Sequence, residues 1–501
     1  MNTPSKEFST RLATAKQWRL AVEQEIKDAL MFCAPGRERD FTRNGHATKE
    51  PVTENYSSIG ERLTMDAAGD IVTYFTPETT RWYEYQVLAE VPPEAEDAVR
   101  EVVQDREDKL ADLFAASNYN DIAPQWGTET IIHGTPALWC SASHLTQPIY
   151  MEAVQPHELY ITPGHMGVLD RFREQLVMAE LLPVILKDYP VNLTEPSLAA
   201  KIAKPGITVR LMWGFWIDWS DPGNPQWRCE ITVDGKSVMR PIVLGPMAGA
   251  CPLLVGRFNP RPGRPWGRGS GIVATADFRV HDALRRIVLD GLDQSLQNTL
   301  IYADDGMIDL SEGIVPGRAH PASRSFTREQ IYELNRQVNV EQGWLTEDRL
   351  IDELRAIFFQ DGPRQRGETP PTAAQWLDER RRVQQRIGKP SAPLWTELLV
   401  PLIQRVEYLG VQLGRLPDAI THDGQTIAVI PISPLQKAQN QDDVMTTQAN
   451  LQMFASMLAD QTGTVINFLA TGKNVARASG DKLIVFQEQQ VQPDAAAAPA
   501  Q

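Results

Sequence analysis

Three groups of residues in this chain have types and spacings that chemistry could use. Gly267, Gly269 and Gly271 form a glycine-rich turn ahead of a long segment without proline, and the amides of such a turn can cradle a phosphate. The GxGxG spacing lacks the last glycine of a dinucleotide fingerprint, no βαβ alternation surrounds it, and no acidic residue ends a second strand. A flexible lead-in to the following helix accounts for these glycines better. His281 and Asp282 are adjacent, like the metal-ligand pair of some phosphohydrolases, but such a site needs further His and Asp ligands in the same bundle. The chain has 8 histidines and the next one along is His320, so a solvent-facing pair on a helix is expected. Asp304, Asp305 and Asp309 offer oxygen ligands without the central glycine and terminal glutamate of a calcium loop. His422-Asp423-Gly424 has turn chemistry, with no serine in a nucleophile elbow to complete a triad.

Charge narrows the choice further. The 64 Asp and Glu against 49 Lys and Arg give a net charge of −15, which argues against tight binding of nucleic acid by the molecule as a whole and leaves local basic contacts open. Arg364, Arg366, Arg380, Arg381 and Arg382 are the one basic concentration that stands out. Ion pairs along a helix face, such as Asp378 to Arg382, are a sufficient reason for the triplet. Arg364 and Arg366 sit in the Gly- and Pro-containing loop from Gln360 to Glu368, where contact with a phosphate backbone is more attractive. The aromatic run from Met212 to Trp227 has no interleaved Lys or Arg, which suits strand packing and not a stacking platform for single strands. Cys33, Cys140, Cys229 and Cys251 are scattered, with no CxxC, so neither a zinc site nor a disulfide framework is indicated and a reducing compartment fits. Met1 to Arg19 has no apolar signal region, and the stretch Leu176 to Leu186 is broken by Glu180 and Pro183, so neither export by a signal peptide nor membrane insertion is expected. No metal, nucleotide or nucleophile constellation survives, no cofactor is implied, and a chain of 501 residues without one suggests a structural or conduit role.

The element that would position everything else runs from Gly271 to Leu300. Ala276, Val280, Leu284, Val288, Leu292, Leu296 and Leu300 are each four apart, so their stripe winds slowly around a helix of roughly 45 Å. Neighbours crossing at an angle would cover it, and copies of the same helix from other subunits are natural partners, with Leu284, Val288, Leu292 and Leu296 as the packing residues. Upstream, helical spacing recurs over Glu7–Leu30, Ser57–Phe75, where Leu63, Ala67, Ile71 and Phe75 share a face, and the charged Glu94–Ala116. Strands follow over Ala137–Ala142, Ile149–Val154, Val209–Trp219 and Arg228–Val233, the last closed by an Asp234-Gly235 turn. Pro241 to Pro265 is crowded with Pro and Gly and reads as a connection. Beyond the long helix, residues 301–325 read as a small α/β tip, and Thr327-Arg328-Glu329-Gln330 has the form of a capping box that starts a return helix. A helix from Thr369 to Gly388, one from Leu394 to Leu413 kinked at Pro401, a polar helix from Pro434 to Asp460 and an alanine-rich disordered tail complete the chain. The fold class is α+β, mostly helical.

Several of these residues also match a known pattern. Arg257-Phe258, Gly263 and Trp266-Gly267-Arg268-Gly269-Ser270 ahead of a long helix resemble the R-W, G-E, Y-G-R-S-P series of the portal (head-to-tail connector) proteins of short-tailed bacteriophages. Phe358-Phe359, Arg366-Gly367-Glu368-Thr369 and Thr372-Ala373 are similar to that family's loop and R-x-T-A-x-E helix start, and Leu398-Leu399-Val400-Pro401-Leu402 through Gly414-Arg415-Leu416-Pro417 resembles the segment ending in L-P. Trp266 stands for the usual Tyr, and Pro370-Pro371 is inserted ahead of Thr-Ala.

The resemblance implies a portal-type subunit in a ring, typically dodecameric, at one capsid vertex of the virion, assembled in the host cytoplasm. Its parts would be a wing over 1–265, a first stem helix over 266–300, a small α/β clip over 301–326 and a second stem helix over 327–360. A channel loop over 361–369 would carry Arg364 and Arg366 to the DNA, followed by wing and crown helices over 370–433 and 434–490 and a disordered tail over 491–501. The implied partners are other copies of the chain, the terminase large subunit, tail adaptor or nozzle proteins, capsid and scaffolding proteins, and double-stranded DNA passing without sequence specificity. An acidic balance suits such a passage, because many channel-lining cations would hold phosphates and stall transport. The competing readings are a metal-dependent nuclease or phosphohydrolase using the acidic clusters and His281-Asp282, and a tail or scaffold protein without a channel.

Overall fold

The computed structural model describes residues 3–41, 55–78, 81–87, 96–143, 146–296, 299–302, 331–334, 340–360, 386–418, 421–422, 425–426, 429–432 and 447. In chain order the helices are α1 (Lys6–Cys33), α2 (Ile59–Phe75), α3 (Glu96–Ala115), α4 (Tyr119–Ile132), α5 (Leu182–Ile185), α6 (Pro196–Ile202), α7 (Ser270–Leu296), α8 (Val340–Ile357), α9 (386–394) and α10 (Val400–Gln412). The strands are β1 (Glu84–Val87), β2 (Ala137–Ala142), β3 (Ile149–Ala153), β4 (Leu159–Pro163), β5 (Leu169–Met178), β6 (Thr208–Asp218), β7 (Gln226–Val233), β8 (Lys236–Ser237), β9 (Ile242–Pro246), β10 (Leu253–Val255), β11 (Thr299–Tyr302), β12 (Ile331–Leu334), β13 (Thr421–His422), β14 (Gln425–Thr426) and β15 (Val429–Ile432). The chain divides into two compact units, one of Met1–Ile71 with Asn118–Arg405 and one of Val72–Ser117 with Val406–Gln501. The stretch 1–265 expected to be a single region is therefore interrupted, since 72–117 groups with the C-terminal part.

The larger unit is organised by an antiparallel sheet in the order β4-β5-β6-β7-β8, with β9 also paired to β7. The two-residue period of β6 decides what each face meets. Trp213 and Phe215 face Trp139 of β2, at ring separations of 4.9 and 5.9 Å. On the other face, Phe8 of α1 packs edge-on against Phe172 at 5.6 Å and Trp216 at 6.3 Å. Gly214 makes this docking possible, because a Cβ there would overlap the Phe8 ring. A second antiparallel sheet, β10-β2-β3, stands beside the first, tied to it by Arg171, whose Nη1 donates to the Leu253 carbonyl at 2.7 Å. The hairpin from β7 to β8 turns at Asp234 (φ 49°) and Gly235 (φ 76°), as that dipeptide predicts.

In the smaller unit β1 pairs with β15 from Glu84↔Ile432 to Val87↔Val429, and Tyr85, Val87 and Val429 pack on Val99 and Val103 of α3. Arg106 binds Glu407 at 2.6 Å through Nε and the Pro417 carbonyl at 2.6 Å through Nη1. Gly410 lets α10 approach α3, since a Cβ there would lie 2.7 Å from Leu113 Cδ1.

The structure corrects several expectations. Pro241–Pro265 contains β9 and the buried β10, whose Leu253, Leu254 and Val255 are 0%, 2% and 0% exposed. Helix α7 ends at Leu296, and Thr299–Tyr302 pairs instead with Ile331–Leu334 as an antiparallel ribbon. The return helix thus begins at Val340 and not at the Thr327 capping box. The chain stays helical over 386–394, through Gly388 and Pro390; proline has helical φ, so its cost is one lost hydrogen bond and not a stop. Pro401 has no N–H for the Glu397 carbonyl, and the helix answers with a π turn over Trp395–Leu399, in which Val400 N–H reaches the Trp395 carbonyl. The helix expected over Pro434–Asp460 and the tail lie outside the described residues.

Candidate assembly site on the long helix

The glycines ahead of α7 lie directly against backbone, and this corrects the reading of a flexible lead-in. A Cβ on Gly267 would overlap the Gly134 carbonyl oxygen, one on Gly269 would overlap the Ile131 carbonyl oxygen, and one on Gly271 would lie 2.8 Å from the Ile132 carbonyl oxygen. Backbone therefore lies on backbone between the end of α4 and the start of α7, which only glycine permits. Phe258 N–H bonds the Gly134 carbonyl at 2.8 Å, Arg268 N–H bonds the Phe258 carbonyl at 2.9 Å, and Gly267 N–H bonds the Thr135 hydroxyl oxygen at 2.9 Å. Gly134 sits at φ 78°.

Beside this junction lies a buried polar cluster. His133 Nδ1 accepts from Thr135 N–H at 3.1 Å, which assigns the ring proton to Nε2 and hence to the 2.8 Å bond with Glu129 Oε2. Arg37 completes the set at 2.5 Å from Glu129 Oε1. Desolvation opposes the Glu129 charge, and His133 and Arg37 outweigh it, holding the carboxyl below its ordinary range. Every member is paired, so the cluster locks the end of α4.

Further along, α7 meets α1, α2 and α8. Phe278 stacks on Phe32 at 5.6 Å and tilts against Phe358 at 5.8 Å. The His281-Asp282 pair expected to face solvent does not: His281 is 1% exposed, and Asp282 accepts the Tyr56 N–H at 2.7 Å. His281 Nε2 is 3.4 Å from Glu347 Oε1, which Arg285 also meets at 2.5 Å. Burial lowers the His281 pKa, more than the opposing Glu347 carboxylate raises it. The pair joins α7 to α8, and among the described residues no group of three or more His, Cys, Asp or Glu is placed to hold a metal.

The period-four stripe divides between two faces. Each step of four advances 40° around the helix, so Ala276 and Val280 are exposed whereas Val288 is 4% exposed and meets Gly343 of α8. Leu284 and Leu292 are half-buried, and the Leu296 side chain is outside the described residues. A second row escaped the sequence reading. Val273, Ala276, Val280, Ala283 and Ile287 alternate at three and four residues and are all exposed, with Val273, Val280 and Ile287 at 42%, 55% and 63%. That is the spacing a shallow helix crossing uses, and its small alanines hid it behind the leucines of the other stripe. On α8, Trp344 and Leu345 are also exposed.

Arg364, Arg366, Arg380, Arg381 and Arg382 lie outside the described residues. They are not the one basic concentration: Arg257, Arg261, Arg264 and Arg268 fall in an interval without any Asp or Glu between Asp234 and Asp277. Counting acids as well as bases along the chain would have found it. Arg257 is bound by Glu397 at 2.5 and 2.8 Å. Among the described residues no helix is long and apolar enough to cross a membrane.

Two solved assemblies are similar to the chain. The neck of an empty gene transfer agent particle, computed with C6 symmetry, is 11% identical over 84% of this chain and 90% of that one, with a TM-score of 0.35. The virion of a native gene transfer agent particle is 12% identical over 83% and 89%, with a TM-score of 0.36. No curated protein matches the sequence. The profile described as bacteriophage head to tail connecting protein matches residues 5–181 and 231–482, most of the chain and both flanks of the glycine junction, and that family is structural. The chain belongs to the family of bacteriophage head-to-tail connecting proteins, and its function is that of a portal or connector in the phage particle.

Proposed function

We propose that copies of this chain close into the ring-shaped channel at one capsid vertex, through which the genome is packaged by the terminase and later ejected, and to which tail adaptors attach. The observation that carries this reading is the exposed row Val273, Ala276, Val280, Ala283 and Ile287 on α7. A helix whose other face is already covered by its own chain, and which still presents a three-and-four apolar row, is suited to a copy of itself beside it. In a ring this contact is heterologous: the face of one subunit meets a different face of the next, and the rotation must close. The half-buried Leu284 and Leu292, with Leu296, would extend the contact toward the far end of the helix.

In this reading α7 and α8 are the stem, the ribbon β11–β12 is the base of the clip, and residues 361–369 are the channel loop that carries Arg364 and Arg366. Two arginines there would touch a passing backbone without gripping it, in keeping with the chain's net charge of −15. Double alanine substitution of Arg364 and Arg366 reduces packaging or DNA retention more than it reduces ring formation. The first experiment is negative-stain electron microscopy with light-scattering mass on the same fraction. Rings with a central hole and a mass many times 56.0 kDa support the reading; a stable monomer or dimer that stays unassembled with its capsid and scaffolding partners sinks it.

A further inference from the structure

Two arginines of the acid-free interval stand apart from every acid among the described residues. Arg261 and Arg264 are exposed, and among the described residues neither side chain has a hydrogen bond or ion pair. They stand on a short loop pinned at its base, where Asn259 N–H bonds the Pro390 carbonyl at 2.8 Å and Arg268 N–H bonds the Phe258 carbonyl at 2.9 Å. Pro260, Pro262 and Pro265 fix its φ angles, and Arg264 N–H closes a turn onto the Arg261 carbonyl at 3.1 Å. A loop held in this way loses little entropy when a ligand orders it. Arg261, Arg264 and Arg268 line a surface hollow together with Glu25 and His133. Glu25 is 3.3 Å from Arg268 and takes up part of that charge, so the two unpaired guanidiniums dominate.

We propose that the loop 257–268 is a contact site for the phosphate backbone of double-stranded DNA, an inference that rests on the channel reading above and adds a second contact, apart from Arg364 and Arg366. The chemistry selects the ligand. Every cation in the loop is an arginine, whose planar fork matches phosphate oxygens. Its two aromatics, Phe258 and Trp266, are 2% and 4% exposed and offer no face for an unpaired base to stack on, which favours a duplex over a single strand. The loop has no acidic side chain that would repel a phosphate backbone, and contacts to phosphate carry no sequence information themselves.

The test is fluorescence anisotropy of a labelled duplex of about 30 base pairs with the full chain, titrated over about 50 to 200 mM salt. Losing two phosphate contacts lowers the slope of log K against log salt by about 1.8, and this is the expected result for Arg261→Ala with Arg264→Ala. Arg261→Lys with Arg264→Lys restores the slope. Arg279→Ala, whose guanidinium already pairs with Asp28 at 2.6 Å, leaves it unchanged. An unaltered slope in the double alanine variant overturns the proposal, and an unaltered slope with a changed particle mass assigns the loop instead to an acidic protein surface. Rings that form normally with an unaltered slope sink this inference alone; a lowered slope in a protein that never forms rings sinks the channel reading and leaves the duplex contact standing.

Discussion

At Gly267–Gly271 the lead into α7 lies against α4 with no side chain between the two backbones, whereas from Val273 to Ile287 the same helix presents five apolar or small residues to solvent. One end of the helix is fixed by its own chain and the stretch that follows is left open. The proposed contact with another copy needs that division. If the junction could flex, the row would point in a range of directions and a ring of fixed closure angle could not form. The difference also separates two kinds of glycine and alanine use, one allowing close approach inside the chain and the other keeping an outer face shallow.

Substitutions at the closed end should damage the chain, and those at the open row should damage only assembly. The largest effect expected is from Gly267→Ala, whose Cβ would overlap the Gly134 carbonyl oxygen with backbone on both sides; it should lower the free energy of unfolding by at least about 3 kcal/mol in a denaturant titration. Thr135→Val removes the acceptor of the Gly267 N–H and should cost about 1–3 kcal/mol, read as a lower midpoint at unchanged slope. Glu129→Gln tests the lock at the end of α4 through pH. The Glu129 pKa is lowered in the folded chain, so its charge stabilises fully above the ordinary carboxylate value and the contribution is lost as pH falls through the folded value. The gap in stability between wild type and Glu129→Gln should be full near pH 6 and close as pH drops below about 4. Smallest in stability is Val280→Asp with Ile287→Asp, within about 0.5 kcal/mol for the isolated chain because both side chains are exposed, while rings seen by electron microscopy should be lost. If that variant unfolds the chain instead, the row is not an outer face and the comparison fails.

Much of the scaffold was legible where one local rule held along a whole element. Leu63, Ala67, Ile71 and Phe75 repeat every four residues and all four are buried; Ala137–Ala142 and the Asp234-Gly235 turn were read from alternation and turn chemistry. What escaped did so because distant partners decide it. In β5, Asp170, Arg171 and Arg173 are 6%, 7% and 1% exposed, so charge marks its interior and hydrophobic alternation does not find it. Arg173 is tolerated there because Glu152 and Glu158 meet it at 2.7 and 2.9 Å. Helix α4 was missed with Pro124 inside it, and β10 is three residues long among prolines and glycines, given its place by β2 and by Arg171 of β5. At the site, the leucine stripe drew attention because leucine is conspicuous, while the alanine-containing row and the unpaired arginines needed burial and pairing to be seen. The glycines were visible from the start, and the Gly134, Ile131 and Ile132 carbonyls they avoid, 133 or more positions away, were not.

The pairing of β1 with β15 joins Val87 to Val429, 342 positions later. A ribosome adding about 5–20 residues each second reaches that partner roughly 20–70 s after β1 is made. During that interval Tyr85, Val87, Val99 and Val103 wait without the strand that covers them, and an open strand edge is a ready place for wrong pairing between nascent chains. The smaller unit therefore cannot close until the whole of the long helix and Val429 have been synthesised, and a chain cut short before Val429 lacks the partner of β1.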